Sequence, residues 1–592
     1  MEQKPIWFVA AALIFAAMIA WLVWPRDPGR TAVIGRTSAV MTRPAESIQI
    51  TIASSSNKKQ WLNQAVATFN EASKTDAGLQ VNNKPVFVEV VLEELNPGEK
   101  DHYRSGLMVA DILSGKIKPT IASPAEESWL FKLNKEWQAA NMRAIATAPA
   151  PGLLRTPLVI AMWESRARAL ECWPDPKPQC TWDRIRALAT NADGWKMFAR
   201  PDWGKFKLGY GYVGESNSGT LTAAILCMRG LGKTRGLTLA DVSASNGCGR
   251  MIAAVEKAKV HSGKKSSWLL DRMRTGGPEY LDAIITSEPE VIEFSKNPLG
   301  LREPMVAVYP QDGTVVSTHP FAILDGAAWV APDQLKAAEI FKNFLLSNEQ
   351  QSLLVKNGLR PANPQTPLGP PFEAAYGANP AAKLVSMEMP DVLVFDRVRE
   401  VWHEVKKHAH IVIVFDKSGS MTTGDKISQA IRGSEAFVTA MDLKDWLAWL
   451  AFDDQIYART HGLKSEIGEK LLNDIRSTTA GNGTALYDAV AAAFDLVSDS
   501  RRKLGDSVRY GIVILSDGQD TSSRKATLAL LEAKLKPSEH DATGIQIHTI
   551  GIGADADDAV LKKIANLAHG KYWKVKNPAD VIEVYKEIAT HY

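Results

Sequence analysis

The stretch HIVIVFDKSGSM (residues 410–421) decides how the C-terminal part of the chain folds. An unbroken apolar run, IVIVF, ends in Asp416 and a turn carrying the hydroxyls of Ser418 and Ser420. Three further buried runs follow: WLAWLAF (446–452), YGIVILSDGQD (510–520) and IQIHTIGIG (545–553). Helical spacing fills the intervals at 427–440, 485–497, 526–535 and 559–568. Continuous apolar strands alternating with helices predict a parallel sheet covered on both faces, an α/β fold. Such sheets bind ligands beyond the carboxyl ends of their strands. Asp416, Ser418 and Ser420 follow the first strand and Asp517 the third, while Thr484 in GNGTALYDAV (481–490) precedes a helix. Two carboxylates and three hydroxyls are hard oxygen donors, suited to Mg²⁺ or Mn²⁺ and unsuited to a thiolate metal.

The pattern D-x-S-x-S…T…D over residues 408–592 resembles the metal-ion-dependent adhesion site of the von Willebrand factor A domain, a doubly wound, Rossmann-like fold. GTALYDA and SDGQD match beyond the donors themselves. The resemblance implies that Ser418, Ser420 and Thr484 hold the metal directly, and Asp416 and Asp517 directly or through water. It also implies a protein partner that offers an Asp or Glu to the metal. Asp453, Asp454 and Asp520 read as solvated loop residues outside the site.

Upstream, strand, polar turn and helix alternate again. IQITIA (48–53), VFVEVVL (86–92) and PLVIAMW (157–163) read as strands, and GYVGESNSGTLTAAIL (211–226) as a strand, turn and helix. Hydroxyls stand where helices are expected to begin, at 54–56, at Ser123 and at 216–220. Helix starts offer unpaired N–H groups and partial positive charge, so such turns suit carboxylates and oxyanions. They are also ordinary N-caps. IASPAEESW (121–129), TWDRIRALA (181–189), the SNSGT turn, VAVYPQDGTVVSTHPFAIL (306–324) and FKNFLLSNEQQSLLVKNGLRPANP (341–364) are similar to type 2 periplasmic solute-binding proteins. The likeness covers residues 46–364 and is greatest to the sulfate/molybdate-like branch. It implies two α/β lobes with a hinge, and a small polar or anionic solute held by Ser55, Ser56, Ser123, Asn217, Ser218 and Thr220. GLGKT (230–234) is not a phosphate-binding loop, because Cys227 stands where that pattern needs glycine and a helix precedes it.

Prolines crowd the stretch after residue 360, so residues 365–407 read as a stiff linker followed by a helix over 392–410. At the other end, residues 6–24 are unbroken apolar sequence, about 28 Å as a helix and enough for one transmembrane span. The run continues into Trp24-Pro25-Arg26 without a small-residue cleavage pattern, so residues 1–30 read as an uncleaved anchor. Cys172, Cys180, Cys227 and Cys248 form an even set that suits two disulfides and an oxidising compartment, with the pairing open and four unpaired thiols as the alternative.

The 592 residues carry 69 Lys+Arg against 66 Asp+Glu, a net charge of +3, with 45% hydrophobic residues. That balance excludes a wholly disordered chain and argues against a dedicated nucleic-acid binder. No HExxH, CxxC or GxSxG and no nucleophile–base pair stands out, so catalysis is not expected. The sequence reads as a single-pass, extracytoplasmic binding protein, and the resemblance to periplasmic solute-binding proteins implies a bacterial one. The alternatives are a solute-capture component of a transport system, and a chaperone-like subunit of an ATPase complex. With the outer membrane permeabilised, external protease is expected to digest the protein on intact cells. Full protection, scored by immunoblot, would place the bulk of the chain inside.

Overall fold

The computed structural model describes residues 43–592, apart from 97–98, 215, 264–265, 537–543, 555 and 590. The expected anchor at residues 6–24 lies outside the described residues. Among those described, no helix is long and apolar enough to cross a membrane.

The strand Ile48–Ser54 is the centre of the first lobe. It pairs in parallel with Lys84–Val91 on one side and Ile121–Ser123 on the other. The short strands Gln80–Val81 and Ala322–Ile323 close the two edges in antiparallel sense. The helix Lys59–Ala72 places Trp61, Leu62, Ala65, Val66 and Phe69 on one buried face, where they meet Ile50, Ile52 and Phe341. A 3₁₀ turn, Ser56–Lys58, precedes that helix. No helix starts at Ser123, contrary to the sequence reading. Ser123 ends its strand, and the next helix, Glu127–Asn141, begins after Glu126, whose carboxylate accepts from the Glu127 amide (3.0 Å).

The second lobe is built on Leu154–Trp163, which runs antiparallel to Ala283–Ser287 and to Met305–Val308. Leu208–Gly211 and Lys259–Gly263 extend the sheet in parallel. The chain passes between lobes at residues 152–154 and 318–320, where the Leu153 amide donates to the His319 carbonyl (3.0 Å). The cysteines are paired Cys172–Cys180 and Cys227–Cys248. The second bond joins the helices Asn217–Gly230 and Gly247–Glu256. Their backbones approach so closely that a Cβ on Gly230 would lie 2.0 Å from the Gly247 carbonyl oxygen.

The proline-rich stretch is not a free spacer. Phe372 and Ala378 pack with Ile292 and Val355, and the Thr314 amide donates to the Val385 carbonyl (2.9 Å). The following helix is shorter than the sequence suggested, Val392–Val405, and the next strand starts at Ala409. Val394, Phe395, Val398, Val401 and Trp402 on that helix belong to the core of the second lobe.

The C-terminal domain is a six-stranded sheet in the order Ile456–Leu463, Trp446–Phe452, Ala409–Asp416, Arg509–Ser516, Gln546–Ile552, Tyr572–Val575. Five strands are parallel, and the four read as apolar runs are among them. Ile456–Leu463 is an antiparallel edge strand that the sequence reading missed, and Tyr572–Val575 was missed too. Both are edge strands, which need less apolar sequence than the buried centre. Helices cover both faces, with Leu486, Val490 and Val497 on one side and Phe437, Val438 and Tyr585 on the other.

The two domains meet around Glu256, which is only 1% exposed. Its carboxylate accepts from Trp402 Nε1 (2.7 Å), Arg509 Nη2 (2.9 Å) and the Tyr210 hydroxyl, with Lys259 Nζ at 3.4 Å. Burial alone would raise its carboxyl, but the charges of Lys259 and Arg509 and the hydrogen bonds hold it at about 2. Arg272 also reaches Asn566 (3.0 Å), and Lys407 donates to the Lys257 carbonyl (2.6 Å).

Two outcomes follow from this packing. Arg509→Met removes one side of a buried pair and is expected to cost roughly 3 kcal/mol in urea unfolding of the full chain. An unchanged midpoint would mean that the pair does not hold the domains together. Glu126, buried at a helix start, has its carboxyl pushed up to about 7 by desolvation, against hydrogen bonds that favour the ionised form. A raised carboxyl pKa means that stability falls as pH rises from the ordinary glutamate value of 4.5 towards 7. Glu126→Gln should therefore gain stability relative to wild type over that window, by on the order of 2 kcal/mol at pH 8. Parallel thermal unfolding curves at pH 5 and pH 8 check the sign.

Candidate functional site

The C-terminal strand edge gathers the five expected donors. Asp416 ends its strand, and the register pairs Phe415 with Leu515, which sets Asp517 just beyond the neighbouring strand at the same edge. Both carboxylates are buried, and so are Ser418 and Thr484. Ser420 is exposed and opens the site to solvent. The Ser418 and Ser420 hydroxyl oxygens lie 3.0 Å apart, and Ser420 donates to Asp517 Oδ1 (2.7 Å). Thr484 reaches the same place: a Cβ built on Gly518 would lie 3.6 Å from Thr484 Oγ1 and 3.8 Å from Ser420 Oγ. Both hydroxyls thus lie close to the Gly518 backbone.

Asp416 is oriented from both sides. Its Oδ1 accepts from the Ser418 amide (2.8 Å) and its Oδ2 from the Ser516 hydroxyl (2.5 Å). Burial pushes its carboxyl up to about 6, against these hydrogen bonds, and the neighbouring Asp517 adds to the rise. A cation between the two carboxylates would relieve both effects. The donor set therefore fits a hard divalent ion. Among the described residues no three carboxylates, imidazoles or thiolates converge as a metal cluster; here the hydroxyls make up the set.

Asp453 is not the solvated loop residue expected. It is buried, paired with Lys417, and its carboxylate accepts from the Gln455 amide (2.9 Å). The Lys417 amide donates to Phe452 (2.8 Å) and the Ala485 amide to the Asp453 carbonyl (2.7 Å), so the loops around the donors are tied together. Asp520 is also engaged, accepting from the Tyr487 amide (3.1 Å) and the Ser523 hydroxyl (2.5 Å). Lys426, which the sequence reading passed over, lies 2.7 Å from Asp517 Oδ2.

Between the two lobes of the upstream domain lies a cavity of about 70 Å³. Ser55 and Ser56 line it from the first lobe, and Asn217 and Ser218 from the second, as expected. Ser123 and Thr220 are not among its lining residues. Ser123 is fully buried behind it, and its hydroxyl has no hydrogen-bond partner among the described residues. Thr220 is turned to its own helix start, donating to the Ser216 carbonyl (3.0 Å) and accepting from the Gly214 amide (3.0 Å).

Several cleft residues escaped the sequence reading. Glu290 lines the cavity and accepts from Ser266 (2.7 Å) and from Thr286. The spacing Ser287-x-x-Glu290 is a capping-box pattern that could have drawn attention to it. Arg104 also lines the cavity, with its guanidinium on Glu93 at 2.8 Å. Beneath Ser55 lies Lys58, 1% exposed, which donates to Ser55 Oγ (2.8 Å) and to the Ser123 carbonyl (2.9 Å) and lies 3.3 Å from His319 Nδ1. Burial holds its ammonium well below the ordinary lysine range. His319 Nε2 meets the Thr156 hydroxyl at 2.8 Å. Across the cleft, Trp129 Nε1 donates to Asn217 Oδ1 (3.0 Å).

Comparison with known proteins bears on both domains. The von Willebrand factor type A domain family matches residues 410–587. Calcium-activated chloride channel regulator 1 of Equus caballus is 25% identical over 163 residues, 27% of this chain and 16% of that protein. The chain thus spans only a small part of that relative's length. The sulfate-binding protein SubI from Mycobacterium tuberculosis H37Rv aligns with 54% of this chain and 88% of its own at 14% identity and a TM-score of 0.34. A von Willebrand factor type A protein from Catenulispora acidiphila aligns with 31% of this chain and 42% of its own, at 19% identity and a TM-score of 0.28. The bacterial extracellular solute-binding protein family matches residues 50–360, more than half of the sequence. The chain therefore belongs to the bacterial extracellular solute-binding proteins, with a von Willebrand factor type A domain following the solute-binding domain.

Proposed function

We propose that this protein is an extracytoplasmic receptor whose C-terminal domain binds a protein partner through a divalent cation. Asp416, Ser418, Ser420, Thr484 and Asp517 hold Mg²⁺ or Mn²⁺, and an Asp or Glu of the partner completes the shell. The observation that carries this reading is the hydrogen-bonded row of the Ser418 and Ser420 hydroxyls and the Asp517 carboxylate, open to solvent at Ser420. Bound there, the cation supplies an electrophilic position that an acidic side chain can fill, because Mg²⁺ insists on octahedral oxygen coordination. The protein's own residues orient the donors: Ser516 and the Ser418 amide fix Asp416, and the Gly419 amide, donating to the Asn482 carbonyl (2.8 Å), ties the serine turn to the Thr484 loop.

The upstream domain supports a second binding role. Its cavity is rich in hydroxyls from both lobes, which suits a small polar or anionic solute. Glu290 on the wall disfavours a fully ionised dianion beside it. A solute-capture role in transport follows if that cleft, rather than the cation site, is the working one. The paired cysteines agree with a location outside the cytoplasm, anchored by residues 6–24.

Calorimetric titration of the purified full chain with MgCl₂ tests the cation site. Asp416→Ala is expected to abolish Mg²⁺ binding with the circular dichroism spectrum unchanged. Thr484→Ala removes a neutral donor and should weaken binding less, by roughly ten-fold. Equal Mg²⁺ affinity in wild type and Asp416→Ala would refute the assignment.

A further inference from the structure

Lys426 is in an unfavourable place for a lysine. It is the first residue of the helix Lys426–Ala440, where the helix dipole presents positive charge, and it is 5% exposed. Burial and the dipole both disfavour an ammonium there. What offsets them is Asp517: Lys426 Nζ lies 2.7 Å from Oδ2, while Oδ1 of the same carboxylate accepts from Ser420. The route of the lysine is built into the fold. Its stem crosses the end of the strand Gln546–Ile552 at Gly553, where a Cβ would lie 2.6 Å from Lys426 Cε and 3.0 Å from Nζ. Gly553 also has φ +91°, a backbone conformation that favours glycine.

We infer that Lys426 is a tethered counter-ion of the cation site, which competes with the divalent ion for Asp517 and holds its affinity down. The inference rests on the cation-site reading above and adds a residue that sets its strength. Asp416 and Asp517 together bring two negative charges to the strand edge, and Lys426 cancels one. A divalent ion bound to that set is left with one uncompensated positive charge, which an acidic group from outside neutralises. Lys417 does not serve the same purpose, because its ammonium is engaged by Asp453. Without Lys426 the two carboxylates would neutralise the ion by themselves. The site would then bind metal more tightly and have less need of a partner's carboxylate.

The discriminating measurement is calorimetric titration of the full chain with MgCl₂, comparing wild type with Lys426→Met, Lys426→Gln and Lys426→Arg. Met keeps the apolar stem across Gly553 and removes the charge. Gln gives the same readout should the Met variant fail to fold, which metal-free thermal unfolding reports. Both uncharged variants are expected to bind Mg²⁺ roughly ten-fold more tightly than wild type, and the Arg variant with wild-type affinity. Uncharged variants that bind Mg²⁺ with wild-type affinity or more weakly would overturn the inference while leaving the cation site standing. A wild-type chain that takes up no Mg²⁺ would instead sink the cation site, and this inference with it.

Discussion

One buried carboxylate, Glu256, fixes the relation between the two domains. It lies at the end of the helix Gly247–Glu256, and its partners come from four other elements: Tyr210, Lys259, Trp402 and Arg509. Only Arg509 belongs to the C-terminal domain. An unpaired carboxylate at that depth would be costly, so each partner is held where the charge requires it. The helix Val392–Val405 carries Trp402 into this cluster and leads within a few residues to the strand that ends in Asp416. The domains are therefore joined by a rigid helix and a buried ion pair, whereas a free spacer would have let them move independently.

Both candidate sites use the same physical device with different chemistry. In each, the carboxyl ends of parallel strands and the helix starts that follow them bring short polar side chains together. In the C-terminal domain the edge collects two carboxylates along with hydroxyls, and the balance favours a cation. In the cleft the serines are joined by one guanidinium and one carboxylate, each already engaged: Arg104 by Glu93, and Glu290 by Ser266 and Thr286. A ligand there meets mostly neutral donors and acceptors.

The floor of the cleft is tied to the crossing between lobes. Lys58 belongs to the first lobe, His319 to a crossing segment and Thr156 to the strand that founds the second lobe, and hydrogen bonds link them in a row. Burial lowers the proton affinity of both Lys58 and His319, and the lysine's charge disfavours a proton on the imidazole further. A chain of polar groups without a carboxylate depends on its geometry, since each member is satisfied only by its neighbours.

The sequence by itself determined the central strands of both domains, the edge strands Ile456–Leu463 and Tyr572–Val575 excepted, and which five oxygen-bearing side chains stand at the C-terminal edge. Apolar runs of strand length are local, and D-x-S-x-S places three donors within five residues, so spacing was enough to read them. It also located the start of the helix Asn217–Gly230 in the SNSGT turn, because a polar turn ahead of an apolar helical run is a local signal. Only the tertiary structure decided that Ser123 and Thr220 stand outside the cavity while Glu290 and Arg104 line it. Only the tertiary structure showed that the charged residues Lys58, Glu256 and Lys426 are buried. Each has a partner tens to hundreds of residues away: Lys58 meets the Ser123 carbonyl over 65 residues, Lys426 meets Asp517 over 91, and Glu256 meets Arg509 over 253. A charged side chain carries the same local signal whether it is solvated or paired in the interior. Which of the two it becomes depends on the elements that close over it, and that follows from packing the sheets and helices together.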